Sequence, residues 1–290
     1  MNDWSKIIAA AGLVLAGCAS PQSEAPRTEA PHWAFQPIRD PQPPRVQNVA
    51  WVQNPIDQFI LAKLEAADLQ PAPSAPNHVL NRRAHFALTG LPPKSNSELR
   101  IPHSEWVNRL LKSPRYGEHW ARHWLDVARY ADNKGYVFFE EKKFPWAWTY
   151  RDYVIRALNE DKSFAQFIIE QLAADKLDLG EDKTPLTALG FLTLGARFSG
   201  NIHDILDDRI DVTTRGLMGL TVSCARCHDH KYDPIPTADY YSLYGVFRSA
   251  SEPTLQPTFG PAADTEERRA FDTEMKNRLK VLNDFVAKTR

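Results

Sequence analysis

The sequence predicts an all-α fold: an irregular multi-helix domain preceded by a signal peptide and a Pro-rich tether, and followed by a coiled-coil-like helix. Three observations carry that expectation. Apolar residues recur at three- and four-residue intervals in segment after segment, the spacing that lines one face of a helix. Proline and glycine fall between those segments and mark their stops. No run alternates apolar and polar residues long enough for a half-buried strand. Composition agrees with a soluble globular chain, since 43% hydrophobic residues with 8 Trp, 9 Tyr and 14 Phe can fill one sizeable core or two small ones.

Taken in order, residues 1–17 read as a lipoprotein signal peptide. Lys6 precedes an apolar run from Ile7 to Leu15, well short of the roughly 18 residues of a membrane-spanning helix. The run ends in Leu15-Ala16-Gly17-Cys18, which looks like a lipobox and would make Cys18 the lipidated first residue of the mature chain. An ordinary signal peptide with a chance cysteine is the alternative. The expectation is an exported, membrane-anchored lipoprotein, periplasmic or at the cell surface, whose membrane partner is reached through its N-terminal lipid. Residues 18–49, rich in Pro, Gln, Ser and Glu, form a mobile tether.

Residues 50–254 form the helical domain. Asn54-Pro55 caps a helix with Ile56, Phe59, Ile60 and Leu64 on one face. A helix over 77–88 stops at Thr89-Gly90-Leu91-Pro92-Pro93. Trp106, Val107, Leu110 and Leu111 mark the next, and further helices are expected over 116–131, 150–158, 164–174, 186–198, 207–222 and 237–247. Residues 264–290 carry Phe271, Met275, Leu279, Leu282 and Val286 at coiled-coil-like spacing. That stripe is expected to fold back or to lead into a further C-terminal domain.

The chemistry concentrates in Cys224-Ala225-Arg226-Cys227-His228, the attachment signature of c-type haem. Each thiol adds across one porphyrin vinyl group, a single helical turn sets the two sulfurs apart, and His228 is placed to bind iron as the proximal ligand. With Cys18 assigned to lipid, Cys224 and Cys227 are the remaining cysteines of three. A four-cysteine zinc site therefore lacks its second pair, and a disulfide closing so short a loop would constrain little of the chain. Two alternatives stay open: a Zn or Ca site built from the thiolates with His228 or His230 and the carboxylates Asp229 and Asp233, and a disulfide or redox pair. His230 would serve as a metal ligand or bind a haem propionate. Asp233 before Pro234 also suits a turn or helix cap.

A second haem-facing group is sought among histidines, because Met218 and Met275 are poorly placed. The helix over 116–131 aligns His119, His123, Asp126 and Tyr130 on one face, with Trp120, Trp124, Val127 and Ala131 on a neighbouring face expected to be core. His123 is the preferred cofactor-binding candidate; the alternative is a hydrogen-bonded buried histidine flanked by local ion pairs of Arg122, Asp126 and Arg129. His203 beside Asp204 is a weaker candidate. Asp207, Asp208 and Asp211 are expected to favour the positive end of the helix they open.

These residues carry a resemblance. His32-Trp33-Ala34-Phe35-Gln36-Pro37, Asn54-Pro55-Ile56-Asp57, Leu88-Thr89-Gly90-Leu91-Pro92-Pro93 and Ser113-Pro114-Arg115-Tyr116-Gly117-Glu118 contribute to it. So do the run from Arg122 to Asp132 and the run from Gly219 to Ile235. The chain resembles the planctomycete-type secreted cytochrome-c-like proteins, in their second conserved domain of unknown function. The resemblance implies an exported, haem-associated role, a cytochrome-like domain upstream in many members and a further C-terminal domain in most. The segment between Pro93 and Trp106 is shorter than usual for that family, and His119 falls where the family is not associated with histidine, which favours His123.

The functional expectation is a lipid-anchored module that binds one haem c for electron transfer or redox sensing, with a redox partner or a companion C-terminal domain. Two rivals remain: a metal-dependent hydrolytic enzyme using the Cys/His/Asp cluster, and a non-catalytic interaction domain stapled by its two cysteines. No Ser/His/Asp order, phosphate loop or paired-carboxylate motif raises the enzyme reading. A net charge of −1 gives no support for nucleic-acid binding by phosphate neutralisation.

Overall fold

A computed structural model describes residues 32–94, 102–132, 146–195, 201–251, 253 and 264–289. Among them are ten α-helices, several 3₁₀ turns and no strand, as expected of an all-α chain. No described helix is long and apolar enough to cross a membrane. The signal peptide, Cys18 and parts of the expected tether and of the helix over 186–198 lie outside the described residues.

The chain divides into two compact units, Met1–Ser74 and Ala75–Arg290. In the first, Asn54 caps α1 (Pro55–Ala66) through a capping box, its side chain accepting from Ile56 N and Asp57 N while Asp57 reaches back to the backbone N–H of Asn54. The face expected to be apolar is open: Ile56, Phe59 and Ile60 are exposed and Leu61 is the buried residue. Polar groups decide which side is covered. The Glu65 carboxylate accepts from the backbone N–H groups of Gln47 and Asn48 at 3.0 Å, and Gln58 donates to the Pro44 carbonyl at 3.4 Å. The last residues of the expected tether are thereby tied to the Gln58–Glu65 side of α1.

The second unit begins with α2 (Asn77–Thr89), α3 (His103–Leu111) and α4 (Pro114–Val127). It continues through α5 (Trp148–Asn159), α6 (Phe164–Ala173) and the one-turn α7 (Gly190–Thr193) to α8 (Ile202–Met218) and α9 (Thr237–Arg248), and ends in α10 (Glu266–Thr289). Several helices stop where a residue turns to positive φ: Gly90, Arg129, Asp161 and Gly219. Gly90 favours glycine on two counts. Its φ is 69°, and a Cβ there would sit 2.5 Å from the His119 ring.

Helix α4 packs closely against α5, and small residues make it so. Gly117 and Ala121 lie one turn apart on the buried side of α4. A Cβ on Gly117 would stand 2.4 Å from the Ile155 carbonyl, so no other residue permits this approach. Gly117 N also donates to Asn159 Oδ1 at 2.8 Å. The face of Trp120, Trp124, Val127 and Ala131 is therefore not the core face as expected. Trp120 and Val127 are each 41% exposed, Ala131 is exposed, and only Trp124 packs inward.

Around Trp124 an aromatic core forms, with ring centroids 4.8 Å from Phe167 and 5.6 Å from Phe191. Several of its polar atoms pair internally. Trp124 Nε1 donates to the Tyr150 hydroxyl at 3.0 Å, which donates to Gln171 Oε1 at 2.8 Å. Tyr153 donates to Glu170 at 2.7 Å, and Lys162 Nζ binds the same carboxylate at 2.6 Å and 2.8 Å. Burial pushes the Glu170 carboxyl up, but hydrogen bonds from Lys162, Tyr153 and Gln166 outweigh it and hold it below the usual range.

Candidate functional site

A second core cluster carries the cysteine motif. Helix α8 starts at Ile202, capped by Asn201, whose side chain accepts from His203 N at 3.1 Å. This start is five residues earlier than expected, which moves Asp207, Asp208 and Asp211 out of the first turn. They are occupied with side-chain partners instead. Asp207 accepts from the Tyr240 hydroxyl at 2.7 Å, Asp208 pairs with Arg129, and Asp211 pairs with Arg215. His203 Nδ1 meets the Tyr244 hydroxyl at 2.7 Å, and their rings stack.

The helix expected to run to residue 222 ends at Met218 because Gly219 takes a φ of 69°. The chain then winds into a 3₁₀ turn, Val222–Arg226, with Cys227 as its C-terminal cap. A 3₁₀ turn has three residues per repeat, so residues i and i+3 eclipse. That geometry sorts the motif. Val222 and Ala225 point inward and are buried with Ile210, Ile235 and Tyr240. Cys224, within the turn, and Cys227, at its end, are both free thiols exposed to solvent. Arg226 is bound from below: its guanidinium lies 3.1 Å from Asp204 and 3.7 Å from Asp207, while its carbonyl accepts from the Tyr241 hydroxyl at 3.1 Å.

His228 stands exposed next to Cys227. Its Nδ1 lies 2.7 Å from the backbone carbonyl of Asp229. A carbonyl can only accept, so Nδ1 carries a proton, and in the neutral ring the lone pair is then on Nε2. No partner of Nε2 lies among the described residues. Metal-binding imidazoles are oriented in this way, with one nitrogen donating to a backbone oxygen while the other faces the ion.

The polar residues that follow hold the loop. His230 Nδ1 lies 3.3 Å from Tyr232 N and 2.9 Å from Asp233 N, both donors, so it is an acceptor there. Its Nε2–H then faces Thr221 Oγ at 3.0 Å. The Asp229 carboxylate accepts from Thr237 N at 2.8 Å and caps α9. Asp233 Oδ2 stands 3.5 Å from His230 Nδ1, and the Asp233 carbonyl accepts from Ile235 N at 2.8 Å. Among the described residues, no three His, Cys, Asp or Glu side chains gather into a metal-binding group. His230, Asp229 and Asp233 are each engaged in shaping the turn between the motif and α9.

His123 is exposed on α4, its ring perpendicular to that of His119 with centroids 5.5 Å apart. Burial, with the positive charge of Arg122 and neighbouring His123, lowers the His119 pKa. Tyr130 does not extend their face. Arg129 turns to a φ of 57° and ends the helix, and the Tyr130 hydroxyl donates to Asp132 at 2.6 Å. The aromatic core takes Ala121 and Trp124 from α4, whereas the second cluster takes Val222 and Ala225 from the cysteine turn. Met218 is exposed at the end of α8. A cavity of about 200 Å³ lies at the far end of the α8–α9 pair, lined by Ile202, Leu206, Arg209 and Phe247. The two thiols open onto the surface instead.

The molecule is thus an all-helical domain that presents an open Cys-x-x-Cys-His turn. The family model PSCyt2, described as a protein of unknown function (DUF1549), matches residues 55–252, and the chain belongs to that planctomycete-type cytochrome-c-like domain family. No curated protein and no solved structure matches it.

Proposed function

We propose that this chain is an exported, lipid-anchored module carrying one covalently bound haem c, used for electron transfer or redox sensing. The observation that carries this reading is the sorting of the 3₁₀ turn: two exposed free thiols around a buried Ala225, beside an imidazole whose Nε2 faces no protein partner among the described residues. Each fits its part. Cys224 and Cys227 would each form a thioether by adding S–H across a vinyl group, and His228 would bind iron through Nε2. When bound, the haem supplies reversible one-electron chemistry. The protein's share is to hold the thiols together, fix the imidazole proton on Nδ1 and support the turn through Arg226 and Val222. His123 would be the candidate second histidine for the haem.

The lipobox at Cys18 supports an anchored, exported location, and the family's wider architecture supports a companion C-terminal domain or a redox partner. The zinc or calcium alternative draws less support, because His230, Asp229 and Asp233 have structural duties in the loop. One experiment tests the proposal. The full chain is expressed with a c-type cytochrome maturation system, and the denatured protein is assayed for haem that stays on the chain. Haem should remain on the wild type, vanish in Cys224→Ala/Cys227→Ala, and persist with altered axial spectra in His228→Ala. Cys18→Ala should release the protein from the membrane fraction. A colourless wild type holding stoichiometric zinc or calcium would overturn the haem assignment.

A further inference from the structure

We infer that Asp229 is a positioning residue, which locks the His228 imidazole in its Nε2-binding tautomer by clamping the intervening peptide to the N-terminus of α9. The inference rests on the haem reading for its purpose, although not for its geometry.

Asp229 works in two directions at once. Its backbone carbonyl takes the His228 Nδ1 proton at 2.7 Å, and its side-chain Oδ1 takes the Thr237 N–H at 2.8 Å. Thr237 is the first residue of α9, and the residue before it, Pro236, makes no side-chain cap. The helix terminus has unpaired backbone N–H groups that a carboxylate satisfies well, both by hydrogen bonding and by its charge. The cap therefore reaches eight residues back along the sequence, and the residue it recruits is the one next to the imidazole. With its side chain fixed at α9, the Asp229 peptide cannot rotate its carbonyl away from His228 without giving up the cap.

The loop from 230 to 235 closes the clamp. His230 N donates to the Ile235 carbonyl at 2.9 Å, and His230 Nδ1 accepts from Asp233 N at 2.9 Å. Ile235 is buried in the same cluster as Val222 and Ala225. Both ends of the segment from motif to helix are thus anchored to one small core, and His228 is held between them. A hydrogen bond on Nδ1 makes the opposite nitrogen a stronger donor and fixes the ring's direction.

The experiment uses the full chain in two states. In the haem-free protein, ¹⁵N NMR of the imidazoles at about pH 8, where an ordinary histidine is neutral, reads the His228 tautomer. The wild type should show protonated Nδ1. Asp229→Ala should lose that preference and shift the population toward Nε2–H. Asp229→Asn, which can still accept from Thr237, should restore it. Thr237→Pro provides an independent arm: proline is tolerated at a first helical position, yet it removes the N–H that Asp229 holds. It should reproduce the Asp229→Ala shift with α9 intact by circular dichroism. In the haem-loaded protein, Asp229→Ala and Thr237→Pro should move the reduction potential positive, since a weaker donor stabilises the ferric state less, and Asp229→Asn should stay near wild type.

An unchanged tautomer and potential in Asp229→Ala and Thr237→Pro would overturn the inference. So would a wild-type His228 that is protonated on Nε2. A wild type that binds no haem but shows the expected tautomer shifts would defeat the haem reading and leave the positioning role standing.

Discussion

The two core clusters of the second unit spend their polar groups in opposite ways. The aromatic core built on Trp124 turns its polar atoms inward: the Tyr150 hydroxyl and the Glu170 carboxylate find their partners among neighbours in the same core. The motif cluster keeps a small apolar floor of Ile210, Val222, Ala225, Ile235 and Tyr240, and turns its reactive atoms outward. In the first, the Tyr150 hydroxyl and the Glu170 carboxylate are bound by their surroundings and serve stability. In the second, the thiols and one imidazole nitrogen are left open while nearby polar residues brace them. Stability and chemistry are housed separately, and substitutions should separate them.

The largest effect is expected at Phe191, which is fully buried and stacks on Trp124. Phe191→Ala should cost about 3–5 kcal/mol of unfolding free energy, as phenylalanine truncations in packed cores do. Denaturant unfolding measures it. The fraction of protein that remains folded should still take up haem, and a folded fraction unable to do so would show that the two regions are coupled.

Next comes Glu170. Its net shift is downward, so its contribution is fully present above the unfolded carboxyl value of about 4.3. It is lost as pH falls through the lower folded value. Removing the carboxylate leaves the Lys162 ammonium and the Tyr153 hydroxyl without it, and Glu170→Ala should cost about 3 kcal/mol at neutral pH. The gap between variant and wild type should narrow on acidification below about pH 4. A gap that stays constant from neutral to acid pH would mean that packing, and not the ion pair, is what the substitution removes.

Much of the fold was legible from local signals. Asn54-Pro55, Thr89-Gly90 and the apolar spacing placed most helices within a few residues of their observed ends. The failures share a cause, which is that the deciding interaction is not local. Hydrophobic pattern assigned Trp120 and Val127 to the core, whereas close approach selects small residues, and Gly117 and Ala121 form the contact. Arg129 breaks α4 at positive φ while pairing with Asp208, far along the chain. At the site, the sequence supplied the residue types but not their commitments. His230 and His228 look alike as ligands until backbone N–H groups are seen to occupy one Nδ1 and a carbonyl the other. Asp229 as a cap for α9 could have been suspected only from the uncapped Pro236-Thr237 start.

The smallest stability effect should come from the most consequential side chains. Cys224 and Cys227 are exposed and contribute nothing to the apolar floor. Replacing both by serine should leave the unfolding free energy of the haem-free chain within about 0.5 kcal/mol of wild type, the usual range for surface positions. All covalent haem should be lost. Ala225, between them and 0% exposed, makes the contrast within a single turn. Ala225→Val adds two methyl groups against Ile210 and Tyr240 and should cost about 1–3 kcal/mol by overpacking. Side by side, the two variants test whether the 3₁₀ turn really has an inner side that folds and an outer side that binds. If the serine pair destabilises the haem-free chain as much as Ala225→Val, the thiols are part of the core, and the open-sided geometry on which the haem assignment rests is wrong.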